Sequence, residues 1–481
     1  MVSATGSPAN NSKFLIHIGQ YGISISIILL GLIRLVNVDF DLHLLFSTED
    51  YNSQEFGFKL LAFSLVLLCV FCLESRVMQN SNIWRLTPIL LRRIVSTKLL
   101  VALFGFIVFF PLFLRLYSPS LGASLYDLFG VNAIFPNFAD LNLVLNALTC
   151  PSVHKIGDLV TCGAGGAVYQ YPASILMFSI ESNSIDSLTM FFGILQAIML
   201  VALLTITSAR KEFWVALPPI ILAFSPQVQL LLERGNLDIA VLCLSAFAVY
   251  CLMQDQAKLV VAFVFLSIAT ILKFYTFPAL IIVSFIAIRN RNNYLYLLIS
   301  FSLGLTLFRD VILSTRFGIS ELRGSFGFVT LLSFSVGNNS TDSTFATFSV
   351  SHLLSIFVVL FCLICGFLSA GEKSAPCLVK SDGTIISSVI FIAMASFTNS
   401  YHYKLVFLLL TVSCYFLEYS KQGRYFDFGL FKILSLTVLS LLAFKETFFL
   451  PANVIVIFLC GHFLGILSQK LTSKPALKSK F

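Results

Sequence analysis

The chain is predicted to fold as an all-α, polytopic bundle of membrane-spanning helices, about 12–14 of them if each crossing takes roughly 20 apolar residues. Three observations carry this expectation. The 481 residues are 58% hydrophobic and 11% charged, with a mean hydropathy of +0.92, a balance that excludes an ordinary soluble domain. Apolar stretches of spanning length recur from end to end, and they are continuous rather than alternating, which selects helices over a β-barrel. Lysine and arginine gather at intervals between these stretches, as topogenic signals do.

The first span, Phe14–Val36, follows a short Ser/Asn-rich segment and lacks a small-residue cleavage site, so it reads as a retained signal anchor. Further spans are expected at 57–75, 97–116, 187–208, 213–232, 236–252, 258–275, 294–313, 350–370, 384–399, 402–418, 428–445 and 450–467. The short apolar piece at 277–288 is either another crossing or a re-entrant segment. With no fixed-period repeat and no soluble domain, the chain divides into N-terminal spans at 1–96, a membrane core at 97–420, and C-terminal spans with a basic tail at 421–481.

Short cytoplasmic loops hold the excess of positive charge. Arg85, Arg92 and Arg93, Arg210-Lys211, Arg289 and Arg291, Lys421 and Arg424, and the tail residues Lys470, Lys474, Lys478 and Lys480 all fall on one side if the spans alternate. The acidic 37–56 segment and the long polar loop at 117–186 fall on the other. Both termini are then expected in the cytoplasm of a multi-pass protein of the plasma or inner membrane. The net charge of +8 is accounted for by this signal and calls for no nucleic-acid partner.

A loop as long as 117–186 is functional or disordered, and its aromatic and small apolar residues argue against disorder. Within it, Ala139, Leu141, Leu143, Val144, Leu145 and Ala147 are spaced to suit a short interfacial helix. Cys150 and Cys162 share this loop, where they either close a short disulfide or stand as free thiols. The remaining cysteines, such as Cys69, Cys72, Cys243 and Cys362, read as apolar filler, and no metal-type His or Cys spacing appears. Gly163-Ala164-Gly165-Gly166 lacks the Lys-Ser/Thr of a phosphate-binding loop, and Asn338-Asn339-Ser340-Thr341 contains glycosylation sequons on the predicted outer side.

Ionisable groups are costly near membrane spans, and a set of them at one face is a functional candidate. On the predicted topology, Asp140, the run Glu233-Arg234-Gly235-Asn236-Leu237-Asp238, Lys273, Arg309-Asp310 and Tyr401-His402-Tyr403-Lys404 all fall at extracytoplasmic helix ends. Taken singly, each is a helix-end anchor, and Asp140 is an ordinary helix N-cap.

Phe138-Ala139-Asp140, Tyr171-Pro172, Arg234-Gly235-Asn236, Lys273 with Pro278, and Asn399-Ser400-Tyr401-His402-Tyr403 come in the order of motifs that resembles glycosyltransferase family 87, within the GT-C superfamily. The resemblance spans about 100–420, and the charges at Glu233, Arg234 and Asp238 and the Thr398-Asn399 pair depart from the family pattern. It implies a GT-C-like bundle with an extracytoplasmic active site. The implied activity moves a hexose or pentose, as a mannosyltransferase would, from a polyprenyl-phosphate donor to a hydroxyl of a lipid-linked or cell-envelope glycan. It assigns Asp140 as catalytic base, Arg234, Lys273, His402 and Lys404 to the donor phosphate, and Tyr171, Asn236 and Tyr401 to substrate, with no cofactor and no metal ligand. The chemistry suits these residue types: a carboxylate takes the acceptor proton, and Arg and Lys hold the phosphate that leaves. The polyprenyl tail and the surrounding membrane lipids explain a membrane location.

Two other functions compete. A lipid-linked glycan polymerase or ligase would depend on Arg316, Arg323 and His352 in outer loops. A transporter or flippase would use Glu233, Arg234, Asp238 and Lys273 along a pathway, with internal repeats and charges near mid-membrane. A scaffold role leaves the grouped charges unexplained.

Overall fold

The computed structural model describes residues 97–128, 131, 133–134, 136–148, 184–208, 213–254, 258–291, 293–314, 325–326, 350–370, 381–397, 400–421, 428–443 and 449–472. The described residues are mostly helical, with one two-residue strand pair and short connecting segments. The helices are α1 (Thr97–Tyr117), α2 (Pro119–Leu128), α3 (Ala139–Leu148), α4 (Ile185–Ser208), α5 (Phe213–Phe224), α6 (Pro226–Arg234), α7 (Asp238–Gln254) and α8 (Leu259–Leu272). They continue as α9 (Phe277–Arg291), α10 (Leu295–Ser314), α11 (Val350–Ser369), α12 (Asp382–Phe397), α13 (Val406–Lys421), α14 (Phe428–Ala443) and α15 (Phe449–Thr472). Strands β1 (Ser325–Phe326) and β2 (Ser400–Tyr401) pair antiparallel, Ser325 opposite Tyr401.

Among the described residues, three helices are long and apolar enough to cross a membrane, at Lys98–Tyr117, Ile185–Ser208 and Ala452–Gln469, and a fourth span results if the bent pair α5–α6 is counted as one. The chain is therefore helical, with apolar helices that suit a membrane. Wide apolar stripes remain uncovered on the outside, among them Leu99, Phe106 and Phe113 on α1, Phe191 and Ile198 on α4, and Leu298 and Leu305 on α10. Such stripes at helical spacing are stable against lipid and costly against water. The expected spans at Phe14–Val36 and 57–75 lie outside the described residues.

Several expected single spans are shorter or broken. The 213–232 span is α5 and α6, bent by 53° at Ser225-Pro226. Ser225 caps α6 by accepting from the Val228 N–H, and Pro226 occupies the first helical position. The 258–275 run ends as a helix at Leu272, and a 3₁₀ turn at Phe274–Thr276 leads into α9, so the piece at 277–288 is a full antiparallel helix. The 402–418 run opens on a second 3₁₀ turn, His402–Leu405. A helix of α8's length covers roughly 21 Å at 1.5 Å per residue, short of an apolar layer of about 30 Å. Irregular backbone at that depth persists only where protein or a polar cavity surrounds it.

The helices alternate in direction, which puts these breaks together. At one end Lys421 donates to the Met253 carbonyl at 2.6 Å and Glu418 accepts from the Ser381 N–H at 2.8 Å, joining the ends of α7 and α13 to the start of α12. The opposite end collects the C-termini of α1 and α6, the start of α7, and both 3₁₀ turns. The helix expected over 139–147 is α3, which packs on α4 and α6 at that same end, while α2 folds back on α1. The polar loop at 117–186 thus begins as two helices.

Glycines set the closest helix contact. On α11 and α15, a Cβ at Gly366 would collide with the Phe458 carbonyl and one at Gly461 with the Leu363 carbonyl, so the two backbones touch with no side chain between them. Ser369 Oγ meets His462 Nδ1 at 2.8 Å across the same seam. Replacing Gly366 by Val is expected to cost about 1–3 kcal/mol through overpacking. A lowered midpoint of thermal unfolding in detergent, with Gly105→Val in the open face of α1 as the unaffected control, is the check.

Candidate active site

The site is built on a buried ion pair. Arg115, in the last turn of α1, meets Glu233 of α6 at 2.6 Å, with side-chain exposures of 2% and 0%. Both ions take further bonds from the segment that enters α3, while Glu233 Oε2 accepts no hydrogen bond among the described residues and has Arg234 Nε at 4.0 Å. Arg115 Nε donates to Asn137 Oδ1 at 2.7 Å, its Nη2 donates to the Ile134 carbonyl, and the Ile134 N–H donates to Glu233 Oε1 at 2.9 Å. Such bonds offset part of the cost of burying two charges. Here they also pin Ile134 and Asn137 between α1 and α6.

The chain then turns at Phe138, whose N–H donates to the Glu233 carbonyl at 3.3 Å and whose carbonyl accepts from Asn142 at 2.9 Å. Phe138 therefore takes the capping position of α3. Asp140, read in isolation as a helix cap, sits inside the first turn, with its carboxylate turned across to α6 and α7.

The Glu233–Asp238 run owes its shape to one glycine. Gly235, at φ 64°, ends α6: its N–H reaches the Leu232 carbonyl and the Asn236 N–H reaches the Leu231 carbonyl. The reversal delivers Asn236 to the start of α7, where its Oδ1 accepts from the Asp238 N–H at 2.9 Å. That bond fixes which end of the amide faces inward, so Nδ2 is free to donate to Asp140 Oδ2 at 2.9 Å. Arg234 lies at the rim, its Nη1 3.9 Å from Asp140 Oδ1 and its Nε 4.0 Å from Glu233 Oε2, with a third of its side chain exposed. Arg234 is thus the accessible cation of the group, and Asp140 the accessible carboxylate.

Beneath them is a second buried layer. Asp238 is fully buried and accepts from the Tyr275 hydroxyl at 2.8 Å. Lys273, at the break after α8, lies within electrostatic reach of Asp238 and Asp140, and Lys404, in the 3₁₀ turn before α13, within reach of Asp238 and Lys273. Lys404 also lies over the Tyr275 ring, 5.4 Å from its centroid. Both lysines are buried. Counted at their ordinary charges, the described residues bring four cations, Arg115, Arg234, Lys273 and Lys404, to three carboxylates, Glu233, Asp140 and Asp238. Such a balance suits an anion.

Burial pushes the Asp140 carboxyl above the ordinary carboxylate range, against the hydrogen bond from Asn236 and the charges of Arg234 and Lys273, which pull it down. The ionised form is therefore disfavoured in the folded protein. That is the condition of a carboxylate able to accept a proton, at a cost in stability.

The structure brings together Asp140, Arg234, Asn236, Lys273 and Lys404, as the sequence led one to expect. The backbones of Tyr401 and His402 lie in β2 and the following turn at the same end, and their side chains, like those of Arg309 and Asp310, lie outside the described residues. So do Tyr171-Pro172, Cys150, Cys162, Arg316 and Arg323. Arg115, Asn137 and Tyr275 are the contributors the sequence did not single out. Arg115 carried a readable signal, as a cation within an apolar helix. No group of residues able to hold a metal ion occurs among those described. No family model, curated protein or solved structure matches the chain.

Removing one partner of the Arg115–Glu233 pair strands the other charge in a buried site. Arg115→Met or Glu233→Leu alone is expected to destabilise by about 3–5 kcal/mol, and the double substitution by much less, since no lone charge remains. Unfolding midpoints of the two single variants and the double variant test this. Equal loss in all three would contradict it.

Proposed function

We propose that this end of the bundle transfers a sugar from a polyprenyl-phosphate donor to a hydroxyl acceptor, in the manner of the GT-C glycosyltransferases that the motif order resembles. The observation that carries the reading is the convergence of one proton-accepting carboxylate with three cations, Arg234, Lys273 and Lys404, in a partly dehydrated site with excess positive charge. Sugar transfer from a lipid phosphate asks for these two parts. Asp140 takes the proton of the acceptor hydroxyl as its oxygen bonds to the anomeric carbon. The bond from that carbon to the phosphate oxygen breaks, and the polyprenyl phosphate departs with the electron pair.

The roles follow from geometry. Asn236 holds Asp140 by one oxygen and leaves the other toward the rim. Arg234, exposed and forked, suits the phosphate, and the buried lysines stabilise charge that develops on it as the bond breaks. A base so placed contributes roughly 10²–10⁴-fold. A lipid donor is further supported by an open, mostly apolar cleft of about 470 Å³ between α8 and α10, lined by Ile271, Leu298, Ile299, Ser302, Leu303, Thr306 and Leu307. Ile271 is two residues from Lys273, so the cleft lies beside the phosphate-binding cations. The positive-inside pattern of the sequence supports an extracytoplasmic location for this end. A transport pathway is less well supported, because the charges bond to one another at one end of the helices.

Two measurements on Asp140 check the proposal. In membranes supplied with radiolabelled polyprenyl-phosphate mannose and sugar-acceptor lipids, Asp140→Asn is expected to lower transfer by about 10²-fold or more at unchanged protein level. The wild-type rate should fall on the acid side at a pH above about 4, because only the ionised carboxylate accepts a proton and its affinity for that proton is raised. The same raised affinity sets the sign for stability. The ionised form costs folding energy at neutral pH and the cost vanishes as pH falls, so Asp140→Asn should unfold at an equal or higher temperature than wild type near pH 7. A cap would instead lose stability on substitution. Full transfer by Asp140→Asn would remove the proposal, and dependence on Arg316 or His352 would favour the polymerase or ligase reading.

A further inference from the structure

Phe138 has a backbone geometry that a bulky residue rarely adopts. Its φ is +56°, and it is the only residue other than glycine with positive φ among those described. Left-handed backbone is strained for a non-glycine residue, and such strain persists only when surrounding contacts impose it. Those contacts are visible. The side chain is buried in a cradle floored by two glycines, Gly193 of α4 and Gly235 at the end of α6. A Cβ on Gly193 would meet the ring atoms Cε2, Cδ2 and Cζ at 2.5–2.7 Å, and one on Gly235 would meet the Phe138 Cβ at 2.7 Å. The backbone of Phe138 is held too, by the Glu233 carbonyl at its N–H and by Asn142 at its carbonyl.

We infer that Phe138 is a positioning residue for Asp140: its ring, wedged between Gly193 and Gly235, fixes the left-handed turn that starts α3 and thereby aims the Asp140 carboxylate at Asn236 and Arg234. The inference rests on the reading of Asp140 as the base. An ordinary N-cap residue would start the helix with extended backbone, which changes the direction in which the first turn leaves. Two residues on, that difference decides whether the carboxylate faces α6 and α7. The groups that act on the Asp140 carboxyl are Asn236, Arg234, Lys273 and Asp238. Glycine at 138 would relieve the backbone strain but empty the cradle, so the ring rather than the left-handed conformation is the active element.

The test is a set of variants assayed with polyprenyl-phosphate mannose in membranes, with rates normalised to folded protein. Phe138→Ala and Phe138→Gly should each lower kcat by about 10²-fold, as a displacement near 1 Å does, with the donor KM little changed. The acid limb of the rate profile should shift toward the ordinary carboxylate range as water reaches Asp140. Gly193→Ala should act likewise by pushing the ring out. Combining Gly193→Ala with Phe138→Leu should restore most of the loss, because the shorter side chain lacks the ring atoms that the new methyl meets. Wild-type kcat and an unmoved acid limb in Phe138→Ala, or no restoration in the double variant, would overturn the inference while Asp140→Asn remained inactive. An active Asp140→Asn variant would overturn it together with the reading on which it rests.

Discussion

The buried pair of Arg115 and Glu233 is the constraint on which the arrangement of the site depends. Two opposite charges buried in an apolar bundle are tolerated at close range and with further hydrogen bonds to offset their burial. Those bonds recruit Ile134 and Asn137, and so tie the approach to α3 onto the ends of α1 and α6. Everything at the rim inherits that placement. Glu233 is one residue from Arg234 and three from Asn236, and Asn137 is three from Asp140. The catalytic candidates are therefore rigid appendages of one ion pair rather than side chains on a free loop.

Above that floor, the polar groups occupy two layers with different exposure. The outer layer, Asp140 and Arg234, is reachable from outside the bundle. The inner layer, Asp238 with Tyr275, Lys273 and Lys404, is sealed from it. The layering suits a reaction in which a proton moves at the surface of a site while charge on a leaving phosphate is stabilised from below. It depends on breaks in the helices: Ser225-Pro226, Gly235, Lys273 and the turn at His402–Leu405 each interrupt an apolar run at the same end. Uninterrupted helices would have carried those polar side chains into lipid.

Much of this was legible in the sequence. Apolar runs separated by basic clusters define the direction of each helix, and direction alone brings Asp140, Arg234, Asn236, Lys273 and Lys404 to one end. The details were not legible, for identifiable reasons. A bend at Ser225-Pro226 leaves the hydropathy of the run unchanged, so one span was expected where two helices meet. Arg115 was not singled out, because its partner Glu233 is distant in sequence and nothing local reveals a bond between them. Asp140 looked like a cap because short polar residues before an apolar periodic stretch usually are caps. Phe138 took that position because two glycines from other helices made room for its ring, a tertiary effect that no local propensity encodes.

The central claim is that the cations and the carboxylate at this end act on a lipid-phosphate sugar and break its bond to phosphate. Purified protein reconstituted in liposomes with polyprenyl-phosphate mannose and a lipid-linked glycan acceptor tests it most directly, with free polyprenyl phosphate as the measured product. Release that requires both the acceptor and the Asp140 carboxylate is the predicted result. Donor that stays intact with a panel of hexose and pentose donors, or that crosses the bilayer without losing its sugar, would contradict it.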